Sequence, residues 1–201
     1  MDAHLKEKIS SLTEEQITEK LGAKRPGKIK EPGLKPAAVL VPLIARSNGW
    51  CLLFTKRSDK VEAHKGEISY PGGMIEEGES ALSAALRETH EELGIAEDRI
   101  RILGELDEIL TVTGFRIRPF VAKLRWPTAL RPNPGEIESV HMLNLADFTD
   151  RSRFKSKLWK HNRRDYPVYF FEFPECTVWG ATAKITKNLI DRISGETTPA
   201  E

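Results

Sequence analysis

Glu88, Glu91 and Glu92 stand at spacings that place three carboxylates on one side of an α-helix. Like charges so arranged cost a helix about 0.2–0.5 kcal/mol per pair. A divalent cation removes that cost. Hard oxygen ligands with room left for water and phosphate suit Mg2+, with Mn2+ as the alternative. Such an ion can bridge phosphate oxygens, neutralise developing charge and polarise a water for attack on phosphorus. Taken alone, however, three glutamates on a helix are ordinarily a solvated acidic face.

The elements that must position these residues follow from pattern. Residues 80–93 read as a helix with a core stripe of Leu82, Ala85, Leu86, Thr89 and Leu93, stopped by Gly94. Residues 1–22 are helical, with Leu5, Ile9 and Leu12 on one face and a capping box from Thr13 to Gln16 opening a second helix. Residues 23–36, with Gly27, Pro32, Gly33 and Pro36, read as a linker. A strand follows over 37–44, where Pro42 predicts an edge or a bulge. Asn48-Gly49 predicts a tight turn into a second strand over 50–54. Residues 57–73 lack periodicity and read as a loop. Further strands are expected at 100–110, 115–124, 137–143 and 168–173, with the basic stretch 151–164 as a separator, and a helix at 180–194 closes the chain. The fold class is α/β, a mixed α+β layered domain. Its expected organisation is a helical extension and linker over 1–35, the main domain over 36–194 and a tail over 195–201.

Composition narrows the function classes. With 39% hydrophobic and 30% charged residues and a net charge of +1, the chain as a whole offers no electrostatic case for nucleic acid or membrane partners, so local charge must carry any such case. No apolar run reaches the roughly 20 residues needed to span a bilayer. The acidic, polar start excludes a signal or transit peptide, and the C-terminus is not a peroxisomal tripeptide. Cys51 and Cys176 are far apart and expected to be buried, which favours a reducing compartment, the cytoplasm by default.

Gly73, Glu79, Arg87, Glu88, Glu91, Glu92, Gly94 and Ile95 overturn the acidic-face reading. Their spacing resembles the signature of the Nudix hydrolases, with Thr89 alone departing, at a position usually filled by a larger apolar residue. The resemblance implies an α/β/α sandwich around a mixed sheet, with the signature as loop–helix–loop. It implies Glu88 and Glu92 as principal metal ligands and Glu91 as a further ligand or a base acting through water. Arg87 would pair with Glu79 and orient the catalytic face.

Leu52-Leu53-Phe54-Thr55-Lys56-Arg57-Ser58, then Gly66, then Tyr70-Pro71-Gly72-Gly73, is similar to the additional motif of coenzyme A diphosphatases. Phe54 is inserted, Tyr70 replaces Phe, and Glu62 stands where the subgroup has Arg. Lys60, His64 or Lys65 would have to supply the missing charge. Thr113–Val121, Pro134–Ile137 and Phe170–Ala183 resemble later elements of the same subgroup. The resemblance implies substrate contacts at Arg57, Ser58, Gly72 and Gly73, and a loop Glu136 as base or extra ligand. The substrate would be coenzyme A or its thioesters; Glu62 favours the alternative of another nucleoside diphosphate derivative. A nucleotide-sensing domain without catalysis is the reading from another class. Phe115, Phe120, Phe171 and Trp179 are expected in the core. Lys155, Lys157, Lys160, Arg163 and Arg164 form either a solvated loop or an attractor for a 3′-phosphate. Residues 1–35 are read as a cover for one sheet face or as the arm of a homodimer.

Overall fold

The computed structural model describes residues 3–60, 65–161 and 164–195; for 161, 164 and 165 only the backbone is described. Two helices, α1 (Ala3–Ser10) and α2 (Glu14–Gly22), precede the hairpin β1 (Lys35–Arg46) and β2 (Gly49–Arg57). Short strands β3 (Ile68–Ser69) and β4 (Gly72–Met74) lead to α3 (Ala81–Leu93). Then come β5 (Ile100–Glu105), β6 (Ile109–Leu110), β7 (Phe115–Leu124), β8 (Ile137–Asn144), β9 (Phe154–His161), β10 (Arg164–Glu172), β11 (Thr177–Trp179) and α4 (Gly180–Ser194). No described helix is long and apolar enough to cross a membrane.

The large sheet is mixed, with the order β3-β2-β1-β7-β5; β4 pairs with β1, β6 with β7 and β8 with β2. β1 runs parallel to β7 along most of its length and changes partner on its other side. Ala37–Val39 pair with β4, and Leu43–Arg46 pair with β2. Pro42 therefore sits in a central strand, neither at an edge nor at a bulge. The Leu40 amide donates to Pro71 O at 2.9 Å, and alternation points the nitrogen of Pro42 to that same side, into the gap between the two partners. Its missing donor is not needed there.

Alternation along β1 also builds the layers. Ala38, Leu40 and Ile44 face a core with Leu53, Phe120 and Ala122, covered by Ala84, Ala85 and Leu93 of α3. Val41 and Leu43 face the opposite core, where Ile9, Ile17 and Leu21 of α1 and α2 meet Leu189, Ile190 and Ile193 of α4. The product is an α/β/α sandwich. The expected capping box is present: Thr13 Oγ1 accepts from Gln16 N and Gln16 Oε1 from Thr13 N. The Trp50 indole donates to Leu12 O at 2.7 Å and ties the helical segment to the hairpin.

Several expectations are corrected. The tight turn is Ser47-Asn48, because Arg46 pairs with Gly49, which opens β2 at φ +113°. The stretch 57–73 contains β3 and β4, too short to show alternation. The 100–110 strand breaks at Leu106–Glu108, where Asp107 is held by the Gly27 amide, Asn188 and Arg192. The basic stretch 151–164 forms β9, which with β10 and β11 makes a second sheet. Lys155 and Lys157 face away from Phe154, whose ring packs on Tyr169 and Phe171. Trp179 lies on an outer surface, stacked on Phe170, and Phe115 is half-buried; Phe120 and Phe171 are in the core. Cys51 and Cys176 are unpaired and only half-buried.

Ile17 is fully enclosed between α2 and the sheet. Ile17→Ala should destabilise the chain by about 2–5 kcal/mol, measured by urea unfolding, if the N-terminal helices belong to one cooperative unit with the sheet.

Candidate active site

The partner change along β1 brings Gly72 and Gly73 of β4 beside α3. At Gly72, with φ +150°, a Cβ would lie 2.3 Å from Ala38 O; at Gly73 it would lie 2.4 Å from Glu88 Cδ. Gly72 lies against the β1 backbone at a φ that disfavours any side chain, and a side chain at Gly73 would displace the Glu88 carboxylate. The segment just before is anchored by Tyr70, whose ring stacks on Phe54 and whose hydroxyl shares a hydrogen bond with Thr186 Oγ1 at 2.7 Å.

α3 starts at Ser80, whose hydroxyl accepts from Ser83 N, and ends at Gly94 with φ +68°. Its buried residues are Ala84, Ala85, Thr89, Glu92 and Leu93, while Leu82 and Leu86 are only partly buried. This corrects the expected stripe: alanines let the helix press closer to the sheet than leucines would. Thr89 fits that contact because its hydroxyl donates to Ala85 O at 2.6 Å.

Arg87 gathers the carboxylates. Its Nε and Nη2 donate to the two oxygens of Glu79 at 2.9 and 3.1 Å, a bidentate fork. Nη1 donates to Glu88 Oε1 at 2.9 Å and Glu91 Oε2 at 3.2 Å, and Nη2 also reaches Met74 O. The guanidinium holds Glu79 below its usual carboxylate range, and Glu79 in return helps keep Arg87 charged.

Glu88 and Glu92 behave differently. Burial pushes Glu88 up against the pull of Arg87, with Glu91 and Glu136 adding repulsion. Glu92 is 3% exposed. Burial raises its carboxyl to about 8, opposed by Arg57 and the Gly72 amide and reinforced by Glu88 and Glu136. Arg57 Nη1 stands 3.9 Å from Glu92 Oε1, an ion pair too long for a hydrogen bond. Glu92 Oε2 and Arg57 Nε are both buried without partners.

Glu136 arrives on a loop fixed to the end of α3. Asn133 N donates to Glu92 O at 2.9 Å and Arg131 N to Leu93 O at 2.8 Å, filling two of the carbonyls a helix C-terminus leaves open. Glu136 O in turn accepts from Ser58 N at 2.7 Å, and the Ser58 hydroxyl accepts from Lys60 N. Asn133 was not singled out from sequence; Pro-Asn-Pro-Gly at 132–135 signalled a turn but not what it joins.

Arg57, Ser58, Gly72, Gly73, Arg87, Glu88, Glu91, Glu92 and Glu136 thus belong to one connected surface. Lys155 and Lys157 do not join it: they lie on β9, bound to Glu172 and set over the Phe170 ring. Glu62 and His64 lie outside the described residues. Among the described residues no three acidic, histidine or cysteine side chains converge as a ready cation cage, because Glu88 and Glu91 each direct an oxygen to Arg87. The donor set nevertheless fits a hard cation. Glu92 Oε2 is an orphaned buried oxygen beside Glu88, and burial raises both carboxyls.

A family model described as the NUDIX domain matches residues 34–169. The chain belongs to the Nudix hydrolase family. It is 32% identical over 156 residues to a Nudix hydrolase NudL of Enterobacter sp. (strain 638), covering 77% of this chain and 81% of that protein. It is 29% identical over 158 residues to the NudL of Photorhabdus laumondii, covering 78% and 84%; both relatives are described as uncharacterised. A crystal structure of a C. elegans Ap4A hydrolase binary complex aligns with TM-score 0.49 and 22% identity over 54% of this chain and 80% of that one. This Nudix hydrolase is therefore an enzyme of the pyrophosphatase type acting on a small-molecule substrate, and the family generally uses divalent metal ions.

The raised Glu92 carboxyl makes stability depend on pH. Its value lies above the 4.5 of an unperturbed glutamate, so the stability it contributes is full below that value and is lost as pH rises through about 8. Glu88 acts in the same direction. The metal-free enzyme should melt at progressively lower temperature across this window, and Glu92→Gln should flatten the decline in a calorimetric pH series.

Proposed function

We propose that this Nudix hydrolase cleaves the diphosphate of coenzyme A or its acyl thioesters, giving 4′-phosphopantetheine (or its acyl form) and 3′,5′-ADP. Water adds its oxygen to one phosphorus, the bridging P–O bond breaks, and the departing phosphate leaves as the nucleotide. The observation that carries the reading is the adjacency of the motif around Arg57-Ser58 and Gly72-Gly73 to Glu92: the residues that resemble a coenzyme A motif abut the carboxylates.

Glu88 and Glu92 would hold Mg2+, with Glu91 as a further ligand. A bound magnesium ion supplies charge neutralisation on the phosphates and lowers the pKa of a coordinated water. Arg87 positions the three glutamates and does not touch substrate. Glu91 or Glu136 accepts the proton of the attacking water. Arg57 offers a cation to a phosphate, and the exposed backbone at Gly72 and Gly73 lets that phosphate lie close to β4. The two half-buried thiols accord with a cytoplasmic setting.

A second reading takes a different nucleoside diphosphate derivative, such as ADP-ribose, NAD(H) or a nucleotide sugar. It is favoured by Glu62, an acid where the coenzyme A motif carries a base. The test is a substrate panel with Mg2+. Coenzyme A should release 3′,5′-ADP faster than the other diphosphates react; brisk turnover of ADP-ribose with coenzyme A left intact would give the reaction to the second reading. Glu88→Gln and Glu92→Gln should each lower kcat at least about a hundredfold on whichever substrate is turned over, whereas Glu62→Arg should raise kcat/KM for coenzyme A alone.

A further inference from the structure

The β9–β10 hairpin runs out beyond the core that anchors it. Its base is held by Phe154, whose ring centroid lies 5.5 Å from that of Tyr169 and 5.2 Å from that of Phe171. Farther along, Leu158 is 71% exposed and Trp159 59% exposed. Neighbouring residues on a strand point to opposite faces, so the ribbon is bare and apolar on both sides. Their cross-strand partners, Pro167 for Leu158 and Tyr166 for Trp159, continue the same surfaces. Lysines 155, 157 and 160 interleave, all exposed. Residues 154–172 carry five basic and two acidic side chains, a net +3 within a chain of net +1. The local charge that the whole-chain balance conceals is gathered here.

Lysines on the outer strand of a sheet deter pairing with another strand, but they do not account for a leucine and a tryptophan left in water. A second copy pairing antiparallel through β9 would bring two lysine-rich strands edge to edge. A single-stranded nucleic acid would stack on Trp159 with Lys155 and Lys157 on the same face, leaving Leu158, the more exposed of the two, without a role. A protein surface covers one side of a ribbon. The interfacial zone of a bilayer surrounds an inserted tip on both sides. It accepts indole rings at headgroup level and aliphatic side chains just beneath, while lysine stems extend to the phosphates. Anionic lipid adds attraction for each lysine near the surface.

We propose that the outer part of the β9–β10 hairpin, Leu158 and Trp159 flanked by Lys157 and Lys160, is a peripheral docking site for an anionic lipid surface. The site lies apart from Arg87 and its glutamates, so docking leaves the hydrolytic centre free.

The full chain is mixed with vesicles of phosphatidylcholine alone or of phosphatidylcholine with phosphatidylserine, sedimented, and followed by tryptophan fluorescence. It should pellet with the phosphatidylserine vesicles, release on raising salt, and shift its emission to the blue. The double variant Leu158→Ser/Trp159→Ser should lose both pelleting and shift. Lys157→Gln and Lys160→Gln should each weaken binding about fivefold. All variants should keep the parent's melting temperature and its hydrolysis of soluble substrate. Equal binding to both vesicle types, no binding, or undiminished binding by the double variant would overturn the proposal. So would capture of single-stranded RNA in place of vesicles, or a dimer of the parent in gel filtration that the double variant dissociates.

Discussion

Arg87 sits where α3 carries more negative charge than a helix can hold on one face unaided. Its fork on Glu79 leaves one nitrogen for Glu88 and Glu91 together. That geometry lets carboxylates crowd an exposed face without splaying the helix or the loop before it. Glu79 is also bonded to the Glu76 amide, so the same guanidinium that gathers the acids fixes the turn leading into α3. A lysine could match the charge but not the fork. Loss of the planar donors would free Glu79 and Glu88 at once, and with them the loop after β4.

The acids on α3 are not equivalent, and burial sets the difference. Glu91 is exposed and borrows its order from Arg87. Glu92, one residue on, is turned against the sheet, where it meets Arg57 and the Gly72 amide but leaves an oxygen without a partner. An unpaired buried oxygen is costly in a resting protein. Its persistence at the join between β2, β4 and α3 is the local departure from good packing that functional sites characteristically show.

The loop–helix–loop was legible in sequence because its glycines mark close contacts and a left-handed helix end. Gly73 is pressed against Glu88 and Gly94 against Arg131, so their spacing records the geometry. The layered class was legible because β1, β2, β7 and β8 each carry an apolar run long enough to read as a strand. β3 and β4, of two and three residues, do not. β9 was hidden by composition, since its lysines made a strand look like a basic loop. The approach of α3 is not legible in sequence because leucines look like better core residues than alanines, although alanines allow the shorter distance. Asn133 acts through its main chain, which no side-chain pattern reports.

The parallel register of β1 with β7 sets Leu40 beside Phe120, with α3 and the short strands β3, β4 and β6 in the intervening chain. A contact that closes so long a loop is slow to form and forms late. During synthesis the signature helix leaves the ribosome well before the strand that fixes β1 exists. Until β7 is complete, the strand that positions Gly72 and Gly73 has β2 and β4 beside it but no parallel neighbour along its other edge. Competence to bind phosphate is in this sense a property of the finished chain, and a chain ending between Ile95 and Phe115 would retain every signature residue while leaving β1 without its parallel neighbour.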